Sequence, residues 1–323
     1  MLTRILISAT VTALAAGAAL ADYPERPITL IVPWNAGGGT DAIARILAAG
    51  LEKELGVTVG VVNKPGGGGV IGHAEMLSVK PDGYTIGFGT AELASYYWAG
   101  NAEFKATDFA PIGLVNIDPA AFQVSTDSPW ADARAGLADI GAQPAGTYKM
   151  SGMGAGSAYH LAFAGFLKAN GVDPLAVTLV PSQGAAPGFQ ELASGGVQII
   201  PSSLPEGLAM MQAGKVKALA VLAEARNPAF PDVPTAKEAT GVDFAGGTWR
   251  GVVGPQGLDP AVTGTLAAAV AKVAASEEFT TFMTEKGFGT ANLGPEEFGA
   301  FLTGQHEQFG SIMNDLGIAQ RKE

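Results

Sequence analysis

The sequence predicts an α/β protein built of two units, the second inserted into the first. Three observations carry that expectation. Short apolar runs rich in β-branched residues alternate with stretches whose apolar positions recur every three or four residues, the patterns of buried strand and amphipathic helix. Glycine loops join the two kinds of segment at 37–39, 66–69 and 152–156. A turn-rich passage, Ser125-Thr-Asp-Ser-Pro129, interrupts the alternation, which then restarts and closes through a proline-studded return over 226–235.

The first strand is expected at 28–32, ended by Pro33. From Asp41 the period changes, and Ile43, Ile46, Leu47, Leu51 and Leu55 fall on one helix face. Thr40 is placed to cap that helix, and Asp41 in its first turn suits the macrodipole. A strand feeding a glycine loop that opens a helix leaves unpaired N–H groups, a seat for an anion. A plain βα connection would carry the same residues. The cycle continues with strand 57–62 and helix 71–79, then with strand 84–88 and helix 91–98, which implies a parallel sheet. Weaker strands follow at 112–115 and 122–124. The second unit reads as helix 131–140, strand 147–150, helix 158–170, strand 177–180, helix 187–193, strand 197–200, helix 204–213 and strand 216–222. Strand 249–253 and helices 260–275, 277–285 and 295–316 complete the chain.

Composition narrows the function. Residues 1–21 have the form of a secretory signal: Arg4, an apolar stretch over 5–16, and Ala19-Leu20-Ala21 as a cleavage site before Asp22. That stretch is shorter than the ~20 residues a membrane span needs, and no later stretch is longer. The chain has no cysteine, hence no disulfide, no thiolate metal site and no lipobox anchor. An exported, cysteine-free, soluble protein fits a bacterial periplasm. The net charge of −11 argues against nucleic acid and anionic membrane surfaces as partners, though N–H dipoles can hold a small anion inside an acidic protein. Three histidines without ligand spacing predict no metal site, and no cofactor motif is present.

Seven motifs then follow in order: Tyr23-Pro-x-x-Pro27, Ile31-Val-Pro-Trp-x-Ala-Gly-Gly-x-x-Asp41, Asn63-Lys-Pro-Gly66, Pro81-Asp-Gly-Tyr-Thr85, Gly154-x-Gly-Ser-x-x-His160, Pro231-Asp-Val-Pro-Thr235 and Trp249-x-Gly-Val-Val-x-Pro255. With them the chain resembles the periplasmic solute receptors of tripartite tricarboxylate transporters, also called Bug-type receptors. The resemblance implies a two-lobed, type II-like periplasmic-binding-protein fold, each lobe a mainly parallel sheet flanked by helices. The lobes are expected at 22–124 with 228–323, and at 125–227. It further implies a monomer that binds a small carboxylate between its lobes and hands it to membrane permease subunits, with no cofactor.

In such a fold the ligand lies beyond the carboxyl ends of the strands, which points to the loops 34–41, 89–90, 154–160 and 182–184. Family carry-over makes the backbone of Asn35, Ala36 and Thr40 a grip for a carboxylate. Gly38 and Gly39 are expected to matter there through backbone freedom and lack of bulk. Trp34 stands where the family commonly has Phe, and is either a cleft wall or a core aromatic at the strand end. Asp41 matches the family's acidic residue; its helix-start position alone would explain it. Thr90 belongs to the third loop. Ser157 and His160 match the second-lobe motif, although His160 also shares a face with Phe163 and Leu167. Gln183 and Gly184 occupy the last loop, where Ser182-Gln183 replaces a common Tyr-Lys and so calls for a different ligand. A sensing receptor would use the same cleft. An exported α/β hydrolase is the remaining alternative, but Gly154-Ala-Gly-Ser-Ala158 is not the elbow pattern such enzymes use.

Overall fold

A computed structural model describes residues 23–321; the expected signal segment lies outside the described residues. The first lobe begins with β1 (Ile28–Val32), α1 (Gly39–Leu55), β2 (Val59–Asn63), α2 (Val70–Ser78), β3 (Thr85–Thr90) and β4 (Phe109–Pro119). The second continues with β5 (Ala121–Ser125), α3 (Ala133–Ala142), β6 (Tyr148–Met150), α4 (Ala158–Ala169), β7 (Val177–Leu179), α5 (Ala185–Ala193), β8 (Ile199–Ile200), α6 (Leu204–Gln212), β9 (Val216–Val221) and α7 (Ala236–Thr240). The chain then returns through β10 (Gly247–Pro255), α8 (Pro260–Ala274), α9 (Glu277–Lys286) and α10 (Pro295–Asp315).

Two five-stranded sheets result, ordered β2-β1-β3-β10-β4 and β7-β6-β8-β5-β9. β1 pairs parallel with β2 and β3, whereas β10 runs antiparallel between β3 and β4. The second sheet repeats the arrangement, with β5 antiparallel between β8 and β9. Both lobes are therefore α/β with a mainly parallel sheet. β1 is buried because helices cover both of its faces: Leu30 and Val32 pack with Ile43, Leu47 and Leu51 of α1, while Ile31 joins Met76 of α2 on the other side.

Three expectations need correction. The run 91–98 is a short 3₁₀ turn, Ala91–Ala94, and then irregular chain. β5 pairs in the second sheet, so the sheets change at Ala120 rather than after Val124. The return also comes later than 227, since α7 packs on the second core through Ala236 and the first sheet resumes only at Gly247. The two crossovers lie side by side: the Ala120 N–H donates to the Gly246 carbonyl at 2.8 Å, and the Leu222 N–H to the Ala120 carbonyl at 2.8 Å. A Cβ on Gly247 would sit 2.1 Å from the Asp118 carbonyl oxygen, so only glycine fits this crossing.

Candidate functional site

The front wall of the cleft begins where β1 stops. Pro33 ends the strand, and Gly37, at φ +87°, turns the loop back into α1. Gly38 is the N-cap with φ −85°, and Gly39 opens the helix; neither has a left-handed backbone, but a Cβ on Gly39 would lie 2.7 Å from Glu206 Oε1, so it is the lack of bulk that counts there. Thr40 does not cap either. Its Oγ1 accepts from Arg250 Nε at 2.8 Å, a partner 210 residues away that outweighs the local cap. Asp41 is buried and holds the loop: Oδ2 accepts from the Gly37 N–H and from Arg45 Nε, both at 2.9 Å, and Oδ1 from Asn63 Nδ2 at 2.9 Å. Burial would raise the pKa of Asp41, but the Arg45, Gly37 and Asn63 donors outweigh it and hold it below the usual carboxylate value.

Between the lobes lies a cavity lined by Trp34, Asn35, Gly38, Gly39, Thr40 and Thr90 from the first lobe and by Gln183 and Gly184 from the second. Eight of the twelve residues expected at the site thus meet there. Ala36 is exposed on the loop, and Asp41 stands behind it. Ser157 and His160 are not in the lining either. Ser157 is the N-cap of α4, accepting from the His160 N–H at 3.4 Å, while His160 Nδ1 accepts from the Gly156 N–H at 3.0 Å. Burial lowers the His160 pKa to about 4. The imidazole nitrogen facing the loop is thus taken by backbone, an arrangement that secures 156–160 and pairs no base with the Ser157 hydroxyl. Of the two residues between them, Tyr159 is the one that α4 turns into the cleft.

Trp34 is both wall and core: it is buried, lines the cavity, and its indole Nε1 reaches Thr90 Oγ1 at 3.4 Å. Thr90 in turn donates to Glu92, whose pKa burial raises. Behind Thr90, His73 is fully buried and its pKa is lowered to about 3 by burial. Its Nε2 accepts from the Thr90 N–H at 3.3 Å, which fixes the proton on Nδ1 facing the Gly69 carbonyl at 3.0 Å.

Arg250, Glu206, Glu92 and Tyr159 also line the cavity and have no place in the sequence-derived set. Arg250 is the centre of the floor, 2% exposed. Nη1 donates to Asp118 Oδ2 at 2.6 Å and to Asn116 Oδ1 at 2.7 Å, while Nη2 donates to Glu206 Oε1 at 2.8 Å. Burial alone would lower its pKa; the oxygens of Tyr159, Glu206 and Asp118 outweigh that and raise it, so the guanidinium stays charged. A signal for it did exist in the sequence, since a charge inside the apolar strand Thr248-Trp-Arg-Gly-Val-Val253 is rarely buried without a partner.

Two helix N-termini converge on this cavity, that of α1 through Gly38 and Gly39 and that of α5 through Gly184, Ala185 and Ala186. Their free N–H groups and dipole ends suit a small anion held from both sides. The enclosed space is about 40 Å³, room for a few waters, so a larger guest requires the lobes to part. A bigger space of about 590 Å³ abuts the crossovers and is walled by Leu161, Phe244, Trp249, Phe301 and Phe309. It is largely apolar, so the chemistry of an anion favours the smaller cleft. Among the described residues no cluster of His, Asp or Glu is arranged to hold a metal ion, and no helix is long and apolar enough to cross a membrane.

Residues 43–318 match the family model described as the tripartite tricarboxylate transporter family receptor, TctC. Three solved structures are similar. The periplasmic binding protein BugD is 29% identical, with a TM-score of 0.83 over 93% of this chain and 100% of that one. Rpa4515 of R. palustris, solved with adipate, is 28% identical, with a TM-score of 0.84 over 92% and 99%. MatC of Rhodopseudomonas palustris, solved with bound malate, is 26% identical, with a TM-score of 0.80 over 90% and 99%. The chain belongs to the receptor family of the tripartite tricarboxylate transporters and is a solute-binding protein of that family.

Proposed function

We propose that this chain captures a small organic acid between its lobes in the periplasm and delivers it to the membrane permease subunits of a tripartite tricarboxylate-type transporter. The observation that carries the reading is the pair of helix N-termini, α1 and α5, facing one cavity with the Arg250 guanidinium in its floor. That is a seat for a carboxylate, and it needs no catalytic group. The acids printed for two similar structures, adipate and malate, support the class of ligand. The expected leader, 1–21, supports the compartment. A thermal-shift panel of mono-, di- and tricarboxylates tests it. A ligand at a hundred times its Kd stabilises the native state by about 2.7 kcal/mol, so at least one acid should raise the melting temperature by several degrees. A panel in which no acid raises it, while an uncharged or cationic solute does, would contradict the reading.

A further inference from the structure

Glu206 reaches the same α1 N-terminus and guanidinium that the acid-binding reading gives to a ligand carboxylate. It projects from α6 of the second lobe onto the N-terminus of α1 in the first: a Cβ on Gly39 would lie 2.7 Å from its Oε1. The same oxygen is 2.8 Å from Arg250 Nη2, and the side chain is 6% exposed. Resting on the acid-binding reading above, we propose that Glu206 is an internal competitor for the carboxylate seat, and that Arg250 grips the ligand carboxylate once Glu206 withdraws.

The two acids around Arg250 differ in the way this requires. Asp118 is satisfied on both oxygens, by Arg250 Nη1 and by the Gly289 N–H at 2.7 Å, and it belongs to the same lobe as the guanidinium. Glu206 is satisfied on one oxygen only; Oε2 is buried and accepts no hydrogen bond. It also belongs to the other lobe, so parting of the lobes must pull it away. Arg250 would not follow, because Thr40, Asn116 and Asp118 hold Nε and Nη1 from the first lobe. Opening therefore leaves Nη2 exposed to the cleft and the α1 N-terminus clear. An incoming carboxylate restores what was lost, one carboxylate on Nη2 for another, so the buried charge is never left unpaired. The exchange also makes room, because the cavity is small where Glu206 stands in it.

Calorimetric titration of adipate and of malate into the wild type, Glu206→Gln and Glu206→Ala tests the proposal at low and at high salt. Both variants should bind both acids at least tenfold more tightly, and the gain should persist at high salt, which screens a long-range effect of lost net charge acting through solvent but not contacts inside the buried seat. Melting curves confirm that the variants are folded. Unchanged or weaker binding in the variants, or a gain that vanishes at high salt, would overturn the proposal while leaving the acid-binding reading intact. Acid binding by the variants but not by the wild type would support it in its strongest form. If none of the three proteins binds any mono-, di- or tricarboxylate, the receptor reading itself fails, and this inference with it.

Discussion

Asp41 does not reach the cleft, yet it holds together the loop that forms the cleft's front wall. Its carboxylate gathers the Gly37 N–H, Arg45 and Asn63 around one buried point. Asp41→Ala leaves those donors without their acceptor, and charge-assisted bonds of this kind contribute about 1.5–3 kcal/mol each. Denaturant unfolding should show a loss of about 2 kcal/mol or more, with weaker acid binding in parallel; a change within about 0.5 kcal/mol would mean that the loop stands without it. His73 and His160 make a second residue-scale statement. Both pKa values are lowered by burial, to about 3 and about 4, so the unfolded chain binds protons that the native state refuses. Stability therefore falls as pH drops from about 6.5 toward 4. Unfolding midpoints measured from pH 7 to 4.5 should fall less steeply for His160→Asn than for the wild type, and parallel slopes would contradict the assignment. At this scale the sequence was only half legible. Trp34, Thr90 and Gln183 follow from their loops, but which of Ser157, Tyr159 and His160 faces the cleft depends on the rotational phase of α4. A run of mostly apolar residues does not reveal that phase.

Helix and strand order was the more legible level, because the period of apolar residues is a local property. α8, α9 and α10 begin where Pro260, Ser276 and Pro295 announce them, and each ends within a residue or so of its expected stop. What the residues hide is partnership over distance. Thr40 has the composition of a cap and becomes a ligand of Arg250 instead. β5 looks like the last strand of the first unit and pairs in the second sheet, because strand direction and neighbours are set by the whole lobe. The crossover at Gly246 and Gly247 belongs to this level too. Gly247→Ala forces a methyl against the Asp118 and Pro119 backbone, where nothing can yield cheaply. A destabilisation of about 1–3 kcal/mol is expected. Because Asp118 is also the partner of Arg250, acid affinity should drop with it. A Gly247→Ala protein with wild-type melting temperature and affinity would show that the crossing is looser than this packing.

At the scale of the whole molecule, two similar lobes meet across a small cleft lined from both sides. The glycine loop 66–69 touches the second-lobe loop at Gly154, where a Cβ would lie 3.1 Å from Gly68 Cα, and the cleft behind it is nearly filled. Closure of this kind exchanges solvent for fixed N–H donors from both sides at once. The two-unit plan could be read from the repeated rhythm and from the motifs. The pairing of the buried charges could not, since Arg250, Glu206 and Asp118 come together from three separate stretches of chain. Hydrogen–deuterium exchange with and without adipate or malate reads a grip from both lobes amide by amide, because each amide reports its own protection. New protection is expected in two segments together, 35–42 at the start of α1 and 183–189 at the start of α5. Protection confined to one lobe, or centred on the apolar space around Trp249 and Phe244, would contradict it.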